Sequence, residues 1–516
     1  MTIELLSPIS PLHAMDAPLA NPADNMYGGC SIQVFDSATG AGNLSNTHAD
    51  ANGFLNYVNQ FDTINFHYED AGVEEWQYDP GYDDWQGKYG MDAVRAFYHS
   101  GHGGMDGNGV FSAPMGSQWN KQDWAVSTGM SFGNHFLKYI FWSTCQSVEV
   151  LNGQTPIRTW HTTNKGLRMI FGFQSTSVDS PDYGSNFFSE WNKNKSFSQA
   201  WQDASIDITS NQQVSSTACG SSQSDSQNRL WNERLFYGDA VSSAWYWWRW
   251  AGNVPSSAIR TAHLVLPAAI QRLRLGRRAR DTQALASLLK RYGLDTPPVV
   301  PEGRGHLAVT VGGMRLVLCS DGSYEVALAE PERGAELASP EALRNVADDA
   351  IRRFRVADGT KLVYDRMTAT FHAGGSSAGS GSLIEPAIAD VTVHYRQVIE
   401  GIPVVMGREG HVRVTLDPAG AVCRIVDCSY PVVELLPAAP HPKTLVLEQM
   451  LHIATQGLLR RLSANGVLHD RVEVVPNSTE VGYRLRQDGG ELVARREVEV
   501  TTGPFRKRHI IEVSLA

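Results

Sequence analysis

The sequence predicts an α/β protein in two parts. In the N-terminal part we expect a mostly parallel sheet with helices on both faces, because short, continuous apolar runs such as AVRAFYHS and FLKYIFWS alternate with helical segments. The C-terminal part reads as an α+β region with an antiparallel sheet, since short strands there are joined by turn pairs such as Asp321-Gly322. Composition also changes between the two parts, and all 13 Trp precede residue 251.

Charge divides the chain at the same place. Residues 1–250 carry 25 Asp and Glu against 12 Lys and Arg, whereas residues 251–516 carry 29 against 32. We therefore predict a domain at 1–252, an Arg-rich helical linker at 253–300 and a second α+β region at 301–516. The opposite net charges make the two halves electrostatically complementary.

The elements of the N-terminal part follow in order. Strands are predicted at 31–35, 64–68, 94–100, 136–143 and 167–173. A helix over 49–61 is capped by Thr47 or Asp50, and a helical region at 185–204 is broken near Asn192.

Two of these strands end in residues that can do chemistry. One runs into His102-Gly103 and the other into Thr144-Cys145. If the strands are parallel neighbours, His102 and Cys145 lie side by side at the carboxyl edge of the sheet, where sites form in α/β proteins. The alternative is a buried strand-end thiol and a histidine satisfied within a turn.

The two segments Ser100-Gly101-His102-Gly103 and Ser143-Thr144-Cys145-Gln146-Ser147 resemble the caspase–gingipain–legumain superfamily of cysteine peptidases. The resemblance implies a caspase-like fold for the first domain, Cys145 as nucleophile and His102 as general base and acid. It also implies an oxyanion hole made by the backbone N–H groups of Gly103 and Cys145. Hydrolysis and transpeptidation both pass through a Cys145 thioester, so the sequence leaves the choice open.

Acidic residues near the predicted edge favour a basic side chain before the scissile bond. The candidates are Asp36, Asp179 and Asp182, with Gln174 as a further substrate-binding residue at the end of the fifth strand. In legumain-like relatives the loop after that strand contributes to the specificity pocket. A solvated acidic surface explains the same residues equally well.

Other ligand classes receive little support from the sequence. His99 and His102 are three residues apart on a strand and point to opposite faces, so we expect no metal there, and no cofactor motif is present. Nucleic-acid binding is disfavoured because the Arg-rich segment lacks interleaved aromatic residues. We predict a cytoplasmic protein without a membrane span. The six cysteines are not spaced as a disulfide framework, the N-terminus is a poor signal peptide, and no run of about 18 apolar residues is present.

The linker centre, Gln271–Arg280, carries five Arg within the nine residues 272–280. We expect it to form a helix face over the acidic first domain, with docking into the cleft or self-cleavage as alternatives. The region 335–435 resembles PepSY and fungalysin-type propeptide modules at Tyr395, Gln397, Gly401, Pro403, Val404 and Asp417–Gly420. That resemblance implies a regulatory, intramolecular partner of the first domain.

Together these observations predict a cysteine endopeptidase, or a peptide-bond transferase, acting on a peptide or protein and regulated by its C-terminal region. The competing prediction is a catalytically inactive peptidase-like module that binds a basic partner.

Overall fold

A computed structural model describes residues 2–6, 25–254, 272–294, 306–378, 383–436, 444–463, 466–467, 469–486 and 489–515. Within these residues the protein is mixed α/β, with one large, mostly antiparallel sheet of sixteen strands and two smaller sheets. Residues 7–24, the proline-rich stretch at 297–301 and the glycine-serine stretch at 379–382 lie outside the described residues.

The described residues of the first half form eleven strands and six helices. The strands are β1 (Thr2–Leu6), β2 (Tyr27–Ser31), β3 (Ile64–Glu69), β4 (Ala96–Ser100), β5 (Gly104–Met105), β6 (Phe111–Trp119), β7 (Gln122–Val126), β8 (Tyr139–Ser143), β9 (Met169–Phe173), β10 (Val214–Gly220) and β11 (Trp245–Asn253). The helices are α1 (Thr47–Val58), α2 (Asp83–Tyr89), α3 (Pro156–Trp160), α4 (Tyr183–Trp191), α5 (Phe197–Ile208) and α6 (Gln223–Asn232). The first strand after residue 25 therefore ends at Ser31, where the sequence predicted it to begin.

Five of these strands pair in parallel, in the order β3-β2-β4-β8-β9. β10 and β11 then continue the sheet antiparallel to β9. Strands β4 and β8 are direct neighbours, with Ser100 opposite Ser143, so the residues that follow them emerge at the same edge. This is the adjacency on which the predicted site depends.

The two faces of the parallel strands are covered differently. Aromatic residues of α1, α4 and α5 pack on one face, where Phe54, Phe187 and Trp201 contact Phe141. The other face is covered mainly by the small sheet β5-β6-β7, by loops and by the short helix α3. The prediction of helices on both faces is thus replaced by helices on one face and a small sheet on the other.

The second half contributes strands β12 (Leu273–Leu275), β13 (His306–Val311), β14 (Met314–Leu318), β15 (Tyr324–Ala327), β16 (Lys361–Ser376), β17 (Leu383–Ile399), β18 (Ile402–Pro403), β19 (His411–Leu416), β20 (Val422–Asp427), β21 (Val432–Leu435), β22 (Arg471–Val474), β23 (Glu480–Arg486), β24 (Gly489–Thr502) and β25 (Phe505–Ser514). Its helices are α7 (Thr282–Arg291), α8 (Pro340–Arg353) and α9 (Thr444–Leu462). Ser339 caps α8, as its position before Pro340 and Glu341 predicts.

The two halves share one sheet. β11 pairs with β16 along nine residues, and the order continues through β17, β19, β20, β15, β14 and β13 to β1. At this junction Gly374 is essential, because a Cβ there would lie 1.9 Å from the Trp247 ring. The prediction of separate parallel and antiparallel sheets missed this continuity, since strand pairing across 120 residues leaves no local signal.

Only the last part of the predicted helical linker is a helix within its described residues, 253–254 and 272–294. Leu273–Leu275 is a strand, and helix α7 begins only at Thr282. Arg278 lies over the Tyr430 ring, 3.4 Å from its centroid, and donates a hydrogen bond to the Ser429 carbonyl at 2.7 Å. The described part of the segment therefore docks on the C-terminal region and not on the acidic first half.

Buried ion pairs join the halves where the charge asymmetry predicts attraction. Asp203 and Asp207 on α5 pair with Arg424 at 2.7 Å and Arg413 at 2.9 Å, while Lys195 pairs with Glu325 at 2.8 Å. Burial by itself would raise the pKa of Asp203, but Arg424 and Lys195 outweigh it and hold that pKa well below its usual value. Among the described helices, none has the length and apolar content needed to cross a membrane.

Candidate active site

His102 lies directly beyond β4, buried between two aromatic rings. Its centroid is 5.0 Å from that of Phe35 and 5.2 Å from that of Phe505. The Nε2 atom is 2.9 Å from the Gly42 carbonyl oxygen, which can only accept a hydrogen bond, so Nε2 carries the proton. Nδ1 is buried and has no hydrogen-bond partner among the described residues.

The protonation state of His102 follows from these surroundings. Burial, reinforced by the nearby ammonium of Lys507, lowers the pKa of His102 to about 3. At neutral pH the ring is therefore neutral, with its proton on Nε2 and a free lone pair on Nδ1. A neutral imidazole with a bare nitrogen is able to accept a proton.

Cys145 lies just beyond β8 and is also buried. Its Sγ is 3.4 Å from the Ser177 Oγ, accepts a hydrogen bond from the Ser177 N–H at 3.3 Å, and is 3.0 Å from the Arg506 carbonyl oxygen. Among the described residues no hydrogen bond joins Cys145 to His102. The thiol is instead held by the loop after β9 and by the C-terminal strand β25.

Gly103 brings the two strand ends together. A Cβ at this position would lie 2.9 Å from the Thr144 Cβ and 2.7 Å from the Phe111 ring, so the loops after β4 and β8 touch and only glycine fits between them. Within the described part of the chain, neither the Gly103 N–H nor the Cys145 N–H is used in a hydrogen bond. Both N–H groups belong to the two loops that touch.

The other predicted residues lie in different surroundings. Asp36 caps a short 3-10 turn by accepting from the Ala38 N–H at 2.9 Å. Gln174 is buried and accepts a hydrogen bond from the Val150 N–H, so it supports the loop that follows Cys145. Asp182 is an exposed residue at the start of α4. In the described part of the chain, none of the three forms a hydrogen bond with the Cys145 thiol.

Of the three acidic residues predicted to bind substrate, Asp179 is the one that lies near basic side chains. It accepts from the Ser45 N–H at 2.9 Å and lies 3.5 Å from His509 Nδ1. Burial by itself would raise its pKa, but His509, Lys507 and the Ser45 N–H together lower it. Asp179 is therefore an ionised carboxylate in a buried setting.

Sequence reasoning missed Ser177, Phe505, Lys507 and His509. The Lys507 ammonium donates to Ser177 Oγ at 2.9 Å and to the Gly101 carbonyl at 3.4 Å. In the structure every second side chain at the start of β25 is buried, but the sequence FRKRH has no apolar alternation that could have indicated this.

Part of the first half matches a known family model. Residues 31–252 match the model of a domain of unknown function, DUF6345. No curated protein matches the sequence.

Two solved structures show distant likenesses. An uncharacterised protein from Eubacterium rectale is 10% identical, with 48% of this chain and 82% of that chain covered and a TM-score of 0.26. The Arg-specific cysteine proteinase gingipain R is 13% identical, with 59% of this chain and 65% of that chain covered and a TM-score of 0.24. Likenesses of this size establish neither the fold nor the activity of this chain.

Proposed function

We propose that this protein is a cysteine peptidase, or a peptide-bond transferase, in which Cys145 forms a thioester with the acyl part of a peptide. The observation that carries the proposal is the neutral, buried His102 with a bare Nδ1, on a loop that touches the loop of Cys145 through Gly103 and Thr144. Nucleophile and base thus come from neighbouring parallel strands.

The proposed reaction uses groups described above. His102 Nδ1 takes the proton from the Cys145 thiol, and the sulfur attacks the peptide carbonyl carbon, so that a C–S bond forms. The C–N bond then breaks as His102 gives its proton to the leaving amine. Water, or a second amine in a transferase, attacks the thioester and releases the acyl group.

Charge develops on the carbonyl oxygen during the attack. The N–H groups of Gly103 and Cys145 are proposed to donate to that oxygen, which requires that both remain free in the resting enzyme. Loss of one such donor typically raises the barrier by about 3 kcal/mol. The Gly42 carbonyl keeps the His102 proton on Nε2 and so keeps Nδ1 ready as the base.

A preference for basic residues is proposed for Asp179 and not for Asp36 or Asp182. Asp179 is the buried carboxylate of the three, and it already faces Lys507 and His509. The two others lie at turn and helix starts without a recorded contact to the thiol.

The test is a peptide-library digest with the wild type beside Cys145→Ala and His102→Ala. We expect cleavage, or transfer to an added amine, only when both Cys145 and His102 are present, together with a hydroxylamine-sensitive adduct on Cys145. Because the cleft is filled by β25, the same digest is run on a variant in which that strand is displaced. Absence of turnover in all of them, with no adduct on Cys145, would refute the proposal.

A second candidate is a binding module for a basic segment. It is favoured by one observation, namely that the thiol is already bonded to Ser177 and to the Arg506 carbonyl. The two functions separate in the Cys145→Ala variant, which would retain binding of a basic peptide but would lose turnover.

A further inference from the structure

The C-terminal hairpin of β24 and β25 presents one face to the first half of the protein. Phe505, Lys507 and His509 are buried, whereas Arg506 between them is exposed. The ladder pairs Thr502 with Phe505 and Val500 with Lys507, so the segment is one arm of a hydrogen-bonded ribbon. We call residues 502–509 the latch.

The latch covers both proposed catalytic residues. The Phe505 ring lies against His102 and stacks on Trp124 with centroids 5.1 Å apart and an interplanar angle of 18°. The Arg506 carbonyl accepts a hydrogen bond from the Cys145 thiol at 3.0 Å. A peptide bond brought from solvent has no access to the sulfur in this state.

The cleft beside the thiol holds a lysine side chain in a defined way. The Lys507 ammonium is buried and donates to Ser177 Oγ and to the Gly101 carbonyl. Burying an ammonium group is costly unless the surroundings provide polar partners and negative charge. Ser177, the Gly101 carbonyl and the nearby Asp179 provide both.

Backbone pairing fixes the latch in the cleft. The Arg508 N–H donates to the Ser177 carbonyl at 3.1 Å, and the Asp179 N–H donates to the Arg508 carbonyl at 2.7 Å. Val178 and Arg508 thus form a parallel bridge. Main-chain pairing combined with side-chain pockets is the way in which proteins commonly bind extended peptides.

We propose that the cleft between Gly101 and the loop 177–179 is a recognition site for an extended segment carrying a lysine, and that the latch occupies it in cis and blocks Cys145. The substrate class rests on the proposed function, because a binding module would use the same cleft without turnover. The occluding role of the latch does not depend on catalysis.

The latch is bound as an inhibitor and not as a substrate. The Arg506 carbonyl oxygen accepts a hydrogen bond from the Cys145 thiol, while the Gly103 N–H and the Cys145 N–H form no hydrogen bond in the described part of the chain. The β24–β25 ladder also extends from Val493–Ser514 to Thr502–Phe505, so it would hold the segment in place even if a bond were cut.

The test measures the rate at which iodoacetamide alkylates Cys145 in the full chain, by peptide mass spectrometry. Lys507→Glu places a carboxylate beside the Gly101 carbonyl and near Asp179, and Phe505→Ala removes the cover of His102. We expect each variant to raise the Cys145 rate about tenfold or more, as a shift of the open population. Arg471→Glu, an equal charge reversal on the exposed β22 of the same sheet, should leave the rate unchanged.

The buried thiols Cys30 and Cys219 are internal references. An unchanged Cys145 rate in both latch variants, or an equal rise at all three thiols, would overturn the proposal. A synthetic peptide of residues 500–511 should slow Cys145 alkylation in Lys507→Glu, and the same peptide with Glu in place of its lysine should not. Competition that does not depend on that lysine would reject the lysine site.

The experiments can refute the proposed latch and the proposed peptidase activity independently. If Cys145 is alkylated faster in the variants but no peptide is turned over, the latch proposal is supported and the peptidase proposal is rejected. If the wild type turns over peptide as fast as Lys507→Glu does, the latch proposal is rejected and the peptidase proposal is supported.

Discussion

Acidification is expected to open the latch, because His102 binds a proton only when it is exposed. In the closed state its pKa is lowered to about 3 by burial and by Lys507. Once the latch leaves, the pKa should return towards the ordinary value of about 6.5. Between these two values the open state binds a proton that the closed state does not bind, so the closed state loses stability as the pH falls.

The size of the effect follows from the two pKa values. At about pH 5 the open state gains roughly 2 kcal/mol from His102 protonation, which is about 30-fold in the open population, whereas at about pH 7 the gain is negligible. The lowered pKa of Asp179 keeps that carboxylate ionised across this range.

The assay is the rate of Cys145 modification by 2,2′-dithiodipyridine, a reagent that works at acidic pH. Dividing the wild-type rate by that of Lys507→Glu at each pH removes the intrinsic pH dependence of the thiol. The ratio should rise as the pH falls from about 7 to about 5. His102→Gln should flatten the profile. A wild-type ratio that stays constant across this range would refute the reasoning.

Three further predictions concern packing and charge. Gly103→Ala forces a methyl group between two touching loops, and we expect a loss of about 1–3 kcal/mol in the free energy of unfolding together with loss of turnover. Gly374→Ala drives a Cβ into the Trp247 ring at the junction of the two halves, and we expect a loss of about 3 kcal/mol, measured by urea unfolding. Arg424→Met leaves the buried Asp203 carboxylate with one cation fewer, and we expect a loss of about 3 kcal/mol that shrinks when Asp203→Asn is added.

A matched control distinguishes packing from a general effect of alanine. Gly457 lies within α9, and a Cβ there meets no atom within 4 Å. Gly457→Ala should therefore stabilise the protein by about 0.5–1 kcal/mol. If it destabilises the protein as much as Gly103→Ala or Gly374→Ala, the close contacts at those two positions are not the cause of their effects.

The sequence allowed us to predict that the two strand ends are neighbours, but not that β25 covers them. Continuous apolar runs mark β4 and β8 because both faces of those strands are buried, and such strands pair in parallel. The contact between Cys145 and Arg506 spans 361 residues. A lysine within FRKRH normally faces solvent, so nothing local indicates that Lys507 is buried.

Acidic residues near strand ends illustrate the same limit. Asp36 and Asp179 are alike in a one-dimensional pattern, yet one caps a turn and the other meets His509. The sequence of the Arg-rich segment predicts a helix, but Leu273–Leu275 forms a strand and Arg278 packs over the Tyr430 ring. In each case tertiary partners decide the outcome, as they commonly do when intrinsic propensity is weak.

The pairing of β11 with β16 has a consequence for how the first half can be handled. A chain ending at residue 253 would leave nine residues of β11, four of them Trp, as an open edge strand. Exposed, long and apolar edges act as templates for pairing with other chains. The matched segment 31–252 is therefore expected to self-associate when expressed alone, and weak activity of such a fragment would report on aggregation and not on the chemistry of Cys145.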